Sequence, residues 1–175
     1  MAKFKGKYRI ESTRLPDWDY AGHGWYFVTL CAWDHICFFG EIVDGEMRLS
    51  PIGEIVAQEW QRTPLVRSNV KLDEWVIMPN HLHGIIAIMG PSERVGEAVP
   101  APSQLRSRSL GATIGQVKSV CTKRIWAEGY TDFAWQSRFH DHIIRDEGAL
   151  ARMREYIADN VAKWELDRYH PVQLR

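Results

Sequence analysis

The sequence predicts an α+β domain in which helices pack on an antiparallel, ferredoxin-like β-sheet. Extended apolar segments typical of strands alternate with segments whose apolar residues recur at helical spacing, and turn signals separate the two kinds. The expected order is strands, helix, two strands, helix, strand and helix. At 175 residues and 20.3 kDa the chain can bury one core, so we predict a single domain over residues 1–175.

The first half of the chain is predicted to contain a strand, a hairpin and a helix. Residues 25–32 (WYFVTLCA) are aromatic and β-branched, as strands are. The next segment, 36–50, has an Asp-Gly pair between two extended pieces, which indicates a hairpin. Ser50 and Pro51 mark a helix start, and we expect that helix to end at Pro64.

A second hairpin and a loop are predicted to follow. Residues 69–78 and 81–89 are short and apolar and flank the dipeptide Pro79-Asn80, so we expect them to pair as antiparallel strands. Residues 90–109 are rich in Pro, Ser, Gly and Arg. Such a composition buries little apolar surface, and we predict a flexible loop inside the domain.

The remaining elements are a helix, a short strand and a last helix. The helix carries an apolar stripe from Leu110 to Ile125, the strand lies in residues 138–145, and Asp146 is the expected N-cap of the last helix. On that helix Tyr156 falls on a polar stripe rather than the apolar one. The pattern alone leaves open whether Tyr156 is functional or an ordinary boundary tyrosine.

Charge and cysteine content narrow the class of protein. Lys plus Arg equals Asp plus Glu at 22 each, so net charge gives no long-range attraction to nucleic acid or membrane. Local basic runs at residues 1–14 and 103–126 could follow a phosphate backbone or form a solvated face.

The cysteines Cys31, Cys37 and Cys121 lack paired spacing, and no secretory signal precedes them, which predicts reduced thiols in a cytoplasmic protein. No apolar run approaches the roughly 18 residues that span a bilayer, so we exclude a membrane protein.

Two histidines interrupt the apolar run of the second hairpin. His81 and His83 are at i and i+2, so on a strand they share one face while Leu82 points to the other. The pair could bind one divalent ion or could be ordinary half-buried histidines, and by itself this motif decides little. A second pair, His140 and His142, is separated by a charged residue, and we predict a structural or DNA-facing role for it.

Four ordered motifs, MPNHLHG, SLGATIGQVKS, WQSRFHDHIIRDE and YIADNVAKW, together resemble the REP-associated tyrosine transposases. These are relatives of the single-tyrosine HUH transposases of insertion sequences. The opening segment KYRIESTRLPDWDYAGHGWYFVTLCAWDHICFFGEI is also similar to that family, so the resemblance covers nearly the whole chain. It implies the HUH nuclease fold and a transposase that cuts and rejoins single-stranded DNA.

The resemblance also assigns roles to particular residues. It implies that Tyr156 is the nucleophile, that His81 and His83 are metal ligands, and that Asn160 is the third ligand. Imidazole and amide ligands suit Mn²⁺, with Mg²⁺ tolerated. Many relatives have proline after the asparagine, whereas Val161 follows here, so we expect the helix to continue past Asn160.

The implied substrate is single-stranded DNA with a palindromic hairpin beside the cleavage site. The resemblance allows a monomer or a homodimer, and it leaves open whether Tyr156 acts in cis or in trans. A non-catalytic hairpin-binding regulatory module and a phosphodiesterase that uses water are the alternatives. The expected DNA contacts are basic: Lys5, Lys7, Arg9, Arg106, Arg108, Lys118, Lys123, Arg138 and Lys163.

Overall fold

The central feature of the fold is an antiparallel sheet, seen in a computed structural model that describes residues 3–4, 7–8, 15, 17–90 and 108–174. Most of the predicted loop, residues 91–107, lies outside the described residues. The elements are the strands β1 (Lys3–Phe4), β2 (Lys7–Tyr8), β3 (Gly24–Cys31), β4 (Gly40–Val43), β5 (Glu46–Leu49), β6 (Val70–Met78), β7 (His81–Ile88) and β8 (His140–Ile144), the helices α1 (Pro51–Val66), α2 (Leu110–Ala127) and α3 (Glu147–Asp159), and two short 3₁₀ turns at Trp33–His35 and Trp164–Leu166.

The main sheet of the described residues has the strand order β6-β7-β3-β8, and every neighbouring pair is antiparallel. Along the chain these strands and the helices between them run β3-α1-β6-β7-α2-β8. This is the connectivity of a ferredoxin-like domain, so the predicted fold class is confirmed. Short pairs β1-β2 and β4-β5 lie outside the main sheet.

One face of the sheet carries the main core, which α1 and α2 cover. Tyr26, Val28 and Leu30 of β3 point into it together with Leu82 of β7. Gly84 is needed in the same row because a Cβ there would lie 2.4 Å from the Trp60 ring. The glycine of the MPNHLHG motif therefore leaves space for the largest side chain of α1.

The opposite face is covered by α3. Ile85 of β7 and Ile144 of β8 form a second, smaller core with Leu150 and Ile157 of that helix. Arg154 of α3 also donates two hydrogen bonds to the carboxylate of Asp73 in β6, at 3.0 and 2.6 Å. The helix that carries Tyr156 is thus held against the sheet of its own chain.

Most local signals in the sequence are borne out. The Ser50 side chain accepts a hydrogen bond from the Gly53 N–H at 3.1 Å, and Asp146 caps α3 by accepting from the Ala149 N–H at 2.7 Å. Asp44 and Gly45 both have positive φ, as the turn between β4 and β5 requires. None of the helices in the described part of the chain is long and apolar enough to cross a membrane.

Two helix ends differ from expectation. Pro64 does not stop α1, which runs to Val66 and closes with a bond from the Arg67 N–H to the Thr63 carbonyl at 2.9 Å. A proline in the last turn removes only the hydrogen bond that its own N–H would have donated, so the residues after it can still be helical. At the other end of the chain α3 stops at Asp159 with Asn160 as its C-cap, although no proline follows.

Candidate active site

His81 and His83 are the first and third residues of β7, next to the turn, and they lie on the face of the sheet that α3 covers. Both imidazoles are buried, and their Nε2 atoms lie 3.1 Å apart. Leu82 between them points into the main core, as the strand alternation predicted. Two nitrogens bound to one ion at about 2.1 Å lie roughly 3.0 to 3.4 Å apart for angles between 90° and tetrahedral, so this spacing fits a shared metal.

The Asn80 side chain fixes the proton of His81. Its Nδ2 donates to the carbonyl oxygens of His35 at 2.9 Å and Tyr169 at 2.8 Å. Its Oδ1 therefore faces His81 Nδ1, 2.8 Å away, and must accept a hydrogen bond from it. A neutral His81 with its proton on Nδ1 presents a lone pair at Nε2, which is the form that binds metal.

Burial keeps both imidazoles neutral. It lowers the pKa of His83 to about 3 and holds the pKa of His81 well below its usual range, with the charges of neighbouring cationic groups adding to the effect. The Thr29 hydroxyl lies 2.8 Å from His83 Nδ1 and can accept its proton. When the His83 proton lies on Nε2 instead, it can bridge the two Nε2 atoms while the Thr29 hydroxyl donates to Nδ1, and both imidazoles stay neutral.

Asp167 lies close enough to the histidines to be a ligand, and Asn160 has an oxygen that is unpaired in the described part of the chain. Asp167 Oδ2 lies 3.7 Å from His81 Nε2, and ligand atoms of His81, His83 and Asp167 all lie within 4.8 Å of one another. Asn160, the predicted third ligand, is buried, and its Oδ1 has no hydrogen-bond partner among the described residues. A buried acceptor without a donor is costly, and a cation would offset that cost. The cluster of His81, His83 and Asp167 can hold a metal ion.

Tyr156 lies beside the histidines and faces solvent. Its Oη is 3.4 Å from His83 Nε2, and its ring packs edge-on against His83 and Phe27. The side chain is 44% exposed. A partly exposed tyrosine whose ring is held beside the histidines suits a nucleophile better than a core tyrosine does.

The C-terminal segment, residues 164–170, supplies neighbours that sequence reasoning missed. The Tyr169 ring packs 4.8 Å from the His81 ring and stacks on His35 at 5.2 Å. The Arg168 guanidinium lies 4.6 Å over the Tyr169 ring and donates to its hydroxyl. Asp167 belongs to the same segment, and neither periodicity nor metal-ligand spacing in DRYH relates it to His81.

Two of the predicted DNA contacts are engaged within the protein. Lys118 Nζ donates to the carbonyl oxygens of Gln136 at 2.8 Å and Arg138 at 2.9 Å, and burial lowers its pKa to about 8. Lys163 forms an exposed ion pair with Asp159 at 2.7 Å. Lys118 thus supports the backbone before β8, and DNA binding by either residue stays a prediction.

The other predicted DNA contacts are exposed or half-buried, or they lie outside the described residues. Lys123 and Arg138 are exposed, and Arg108 is half-buried before α2. His140 and His142 are exposed on the edge strand β8, with β3 between them and the β7 pair. Lys5, Arg9 and Arg106 lie outside the described residues, and of Lys7 only the backbone in β2 is described.

Comparisons with known proteins agree with this architecture. No family model matches the chain. An uncharacterized protein of Haemophilus influenzae (strain ATCC 51907 / DSM 11121 / KW20 / Rd) is 36% identical over 176 residues, covering 94% of this chain and 95% of that protein. The chain therefore belongs to the same family as the Haemophilus protein.

A solved structure, that of a REP-associated tyrosine transposase bound to a REP hairpin, aligns with a TM-score of 0.59. The chain has the REP-associated tyrosine transposase fold. The alignment covers 91% of this chain and 77% of that one at 16% identity. The resemblance based on the four motifs is thus confirmed at the level of the transposase fold.

Proposed function

We propose that the protein is a transposase: a metal-dependent single-stranded DNA endonuclease and strand transferase that acts near palindromic hairpins. The supporting observation is the position of Tyr156, whose side chain is 44% exposed and whose hydroxyl lies 3.4 Å from His83 Nε2 in the same chain. The protein with the same fold was solved with a REP hairpin, which favours hairpin DNA as the substrate class. We place the reaction in the cytoplasm.

His81, His83 and Asn160 would hold a divalent ion in this proposal. When bound, Mn²⁺ or Mg²⁺ supplies Lewis-acid polarisation of the scissile phosphate. The Nε2 atoms of both histidines face one another at 3.1 Å, and the Oδ1 of Asn160, which has no hydrogen-bond partner among the described residues, would add a hard oxygen donor. Two imidazoles favour Mn²⁺, since Mg²⁺ prefers oxygen ligands and water.

Tyr156 would attack the scissile phosphorus and form a covalent 5′-phosphotyrosine. The phenolic O–P bond forms as the P–O3′ bond breaks, the phenolic proton passes to water, and the 3′ oxygen takes up a proton to become 3′-OH. A phenol with a pKa of about 10 leaves more readily than an alcohol. A DNA 3′-OH can therefore attack the phosphotyrosine later and release Tyr156 without ATP.

The same arrangement supports action in cis. Leu150 and Ile157 pack α3 on its own sheet, and Arg154 pairs with Asp73 of β6. Tyr156 then meets the histidines of its own chain, so one protomer can carry a complete site. Exposed basic residues such as Lys123 and Arg138 would contact the DNA backbone and position it, without specifying its sequence.

The test is covalent capture of DNA. The protein is incubated with Mn²⁺ and single strands that carry a REP-type hairpin, randomised flanks and a 3′ label, and adducts are resolved on denaturing gels. We expect a labelled adduct that disappears in Tyr156→Phe, in EDTA and in His83→Ala. Tyr130→Phe is the matched control, since Tyr130 is also solvent-accessible, and it should form the adduct normally.

Other outcomes would overturn specific parts of the proposal. An adduct that survives Tyr156→Phe and is lost in Tyr169→Phe would transfer the nucleophile to the second tyrosine near His81. Cleavage without an adduct would indicate water as the nucleophile. Tight hairpin binding with neither cleavage nor adduct in any divalent metal would favour the non-catalytic regulatory module.

A further inference from the structure

Asp167 is oriented toward the histidine pair by the backbone that follows it. The chain leaves α3, passes through the 3₁₀ turn Trp164–Leu166 and reaches Asp167, whose Oδ1 accepts the Tyr169 N–H at 2.7 Å. That bond fixes the carboxylate and leaves Oδ2 facing His81 Nε2 at 3.7 Å. The side chain is only 4% exposed, so water does not readily satisfy this second oxygen.

The Oδ2 atom faces a hydrogen-bond acceptor rather than a donor. Asn80 keeps the His81 proton on Nδ1, so Nε2 presents a lone pair to the carboxylate oxygen. The neighbouring Arg168 directs its guanidinium to the Tyr169 hydroxyl, and within the described residues no lysine or arginine forms an ion pair with Asp167. A buried carboxylate oxygen next to two imidazole nitrogens is a donor set that suits a divalent cation.

We propose that Asp167 is a ligand of the divalent ion held by His81 and His83, so that two imidazoles and one carboxylate bind the ion. This inference rests on the metal site of the proposed function and extends it to the C-terminal segment. The carboxylate supplies the negative charge that the three predicted ligands lack. It also makes metal binding fasten residues 164–170 to β7, because Asp167 and the Tyr169 ring both contact His81.

The experiment measures metal affinity in the full chain without DNA. Free Mn²⁺ is followed by electron paramagnetic resonance while the protein is titrated, which gives a dissociation constant independent of cleavage. In Asp167→Asn the amide Oδ1 can still accept the Tyr169 N–H, so the turn is preserved while the charge is lost. We expect Mn²⁺ to bind at least about tenfold more weakly, since even partners that only orient metal ligands change affinity 10- to 100-fold.

Asp34→Asn is the matched control. Asp34 is an exposed acid beside His35, and its positive φ of 51° is one that asparagine also accepts. This substitution removes one negative charge near the site, but Asp34 has no ligand atom in the cluster. The Mn²⁺ affinity should therefore stay within about twofold, because an exposed charge is screened by solvent. Equal weakening in both variants would mean that only net charge matters and would overturn the proposal.

A second variant tests ligation by a gain of affinity. In Asp167→Cys a thiolate replaces the carboxylate, and softer ligands favour Cd²⁺ or Zn²⁺ over Mn²⁺. We expect the ratio of Cd²⁺ to Mn²⁺ affinity to rise in this variant, and an unchanged ratio counts against ligation.

If Asp167→Asn binds Mn²⁺ like the wild type while His81→Ala does not bind it, Asp167 is no ligand and the proposed function stands. If the wild-type chain binds no Mn²⁺, the metal site itself is refuted, whereas Mn²⁺ binding without a DNA adduct refutes only the chemistry.

Discussion

Replacing Asn80 by alanine is expected to damage both stability and metal binding, because one side chain joins three parts of the site. The amide donates to the carbonyl oxygens of His35 and Tyr169 and accepts the proton of His81, at distances between 2.8 and 2.9 Å. Each buried bond contributes about 1 kcal/mol net, and unpaired partners add to the loss. We expect Asn80→Ala to lower the free energy of unfolding by about 3 kcal/mol.

The loss of Asn80 also frees the His81 ring to turn and to move its proton to Nε2. By analogy with other groups that orient metal ligands, Mn²⁺ affinity should fall about 10- to 100-fold. Urea unfolding gives the first quantity, and the Mn²⁺ titration of the refolded variant gives the second. Asn69→Ala is the control, since Asn69 is also buried but its side chain donates to the Arg108 carbonyl at 3.1 Å, away from the histidines. It should cost about 1 kcal/mol and leave the metal affinity unchanged. Equal effects of the two substitutions would refute the role assigned to Asn80.

Two further substitutions test the scaffold around the site. Gly84→Ala should lower the free energy of unfolding by about 1 to 3 kcal/mol because its Cβ would lie 2.4 Å from Trp60, whereas Gly115→Ala in α2, with nothing within 4 Å, should be neutral or stabilising. Asp73→Asn tests the pair that holds α3. Arg154 keeps the pKa of Asp73 below its usual range, so the pair contributes at neutral pH and its contribution is lost as pH falls through the lowered pKa. Urea unfolding should show a deficit in Asp73→Asn at pH 7 that shrinks by pH 3. A deficit that is the same at both values would contradict this account.

The fold was predictable because its signals are local. The caps at Ser50 and Asp146, the Asp44-Gly45 turn and the alternation around Leu82 each depend on a few neighbouring residues, and each is borne out. The end of α1 was predicted too early because a proline in a last turn costs less than one in mid-helix. The proximity of Tyr156 to His83 needed the packing of α3 on the sheet, which the family resemblance implied and the periodicity did not.

The contribution of the C-terminal segment could not be predicted in the same way. Asp167 meets His81 only because α3 ends at Asp159 and the chain then turns back over the sheet. A helix continuing past Asn160, as the missing proline suggested, would have carried residue 167 away from β7. The end of a helix is set by weak competing terms, so small errors in its position change which side chains reach a site.

The position of β7 inside the sheet explains why the MPNHLHG motif must satisfy both the packing of the main core and the polar contacts of the histidines. Both of its neighbours, β6 and β3, are hydrogen-bonded to it, so each of its side chains is buried on one face or the other. Leu82 and Gly84 face α1 and are constrained by packing, whereas His81 and His83 face α3 and must be satisfied by polar partners. Because β7 cannot shift by one residue without exchanging these faces, the core that holds Leu82 also fixes the histidines beneath Tyr156. Packing on one side of the sheet thereby sets the geometry of the proposed active site on the other.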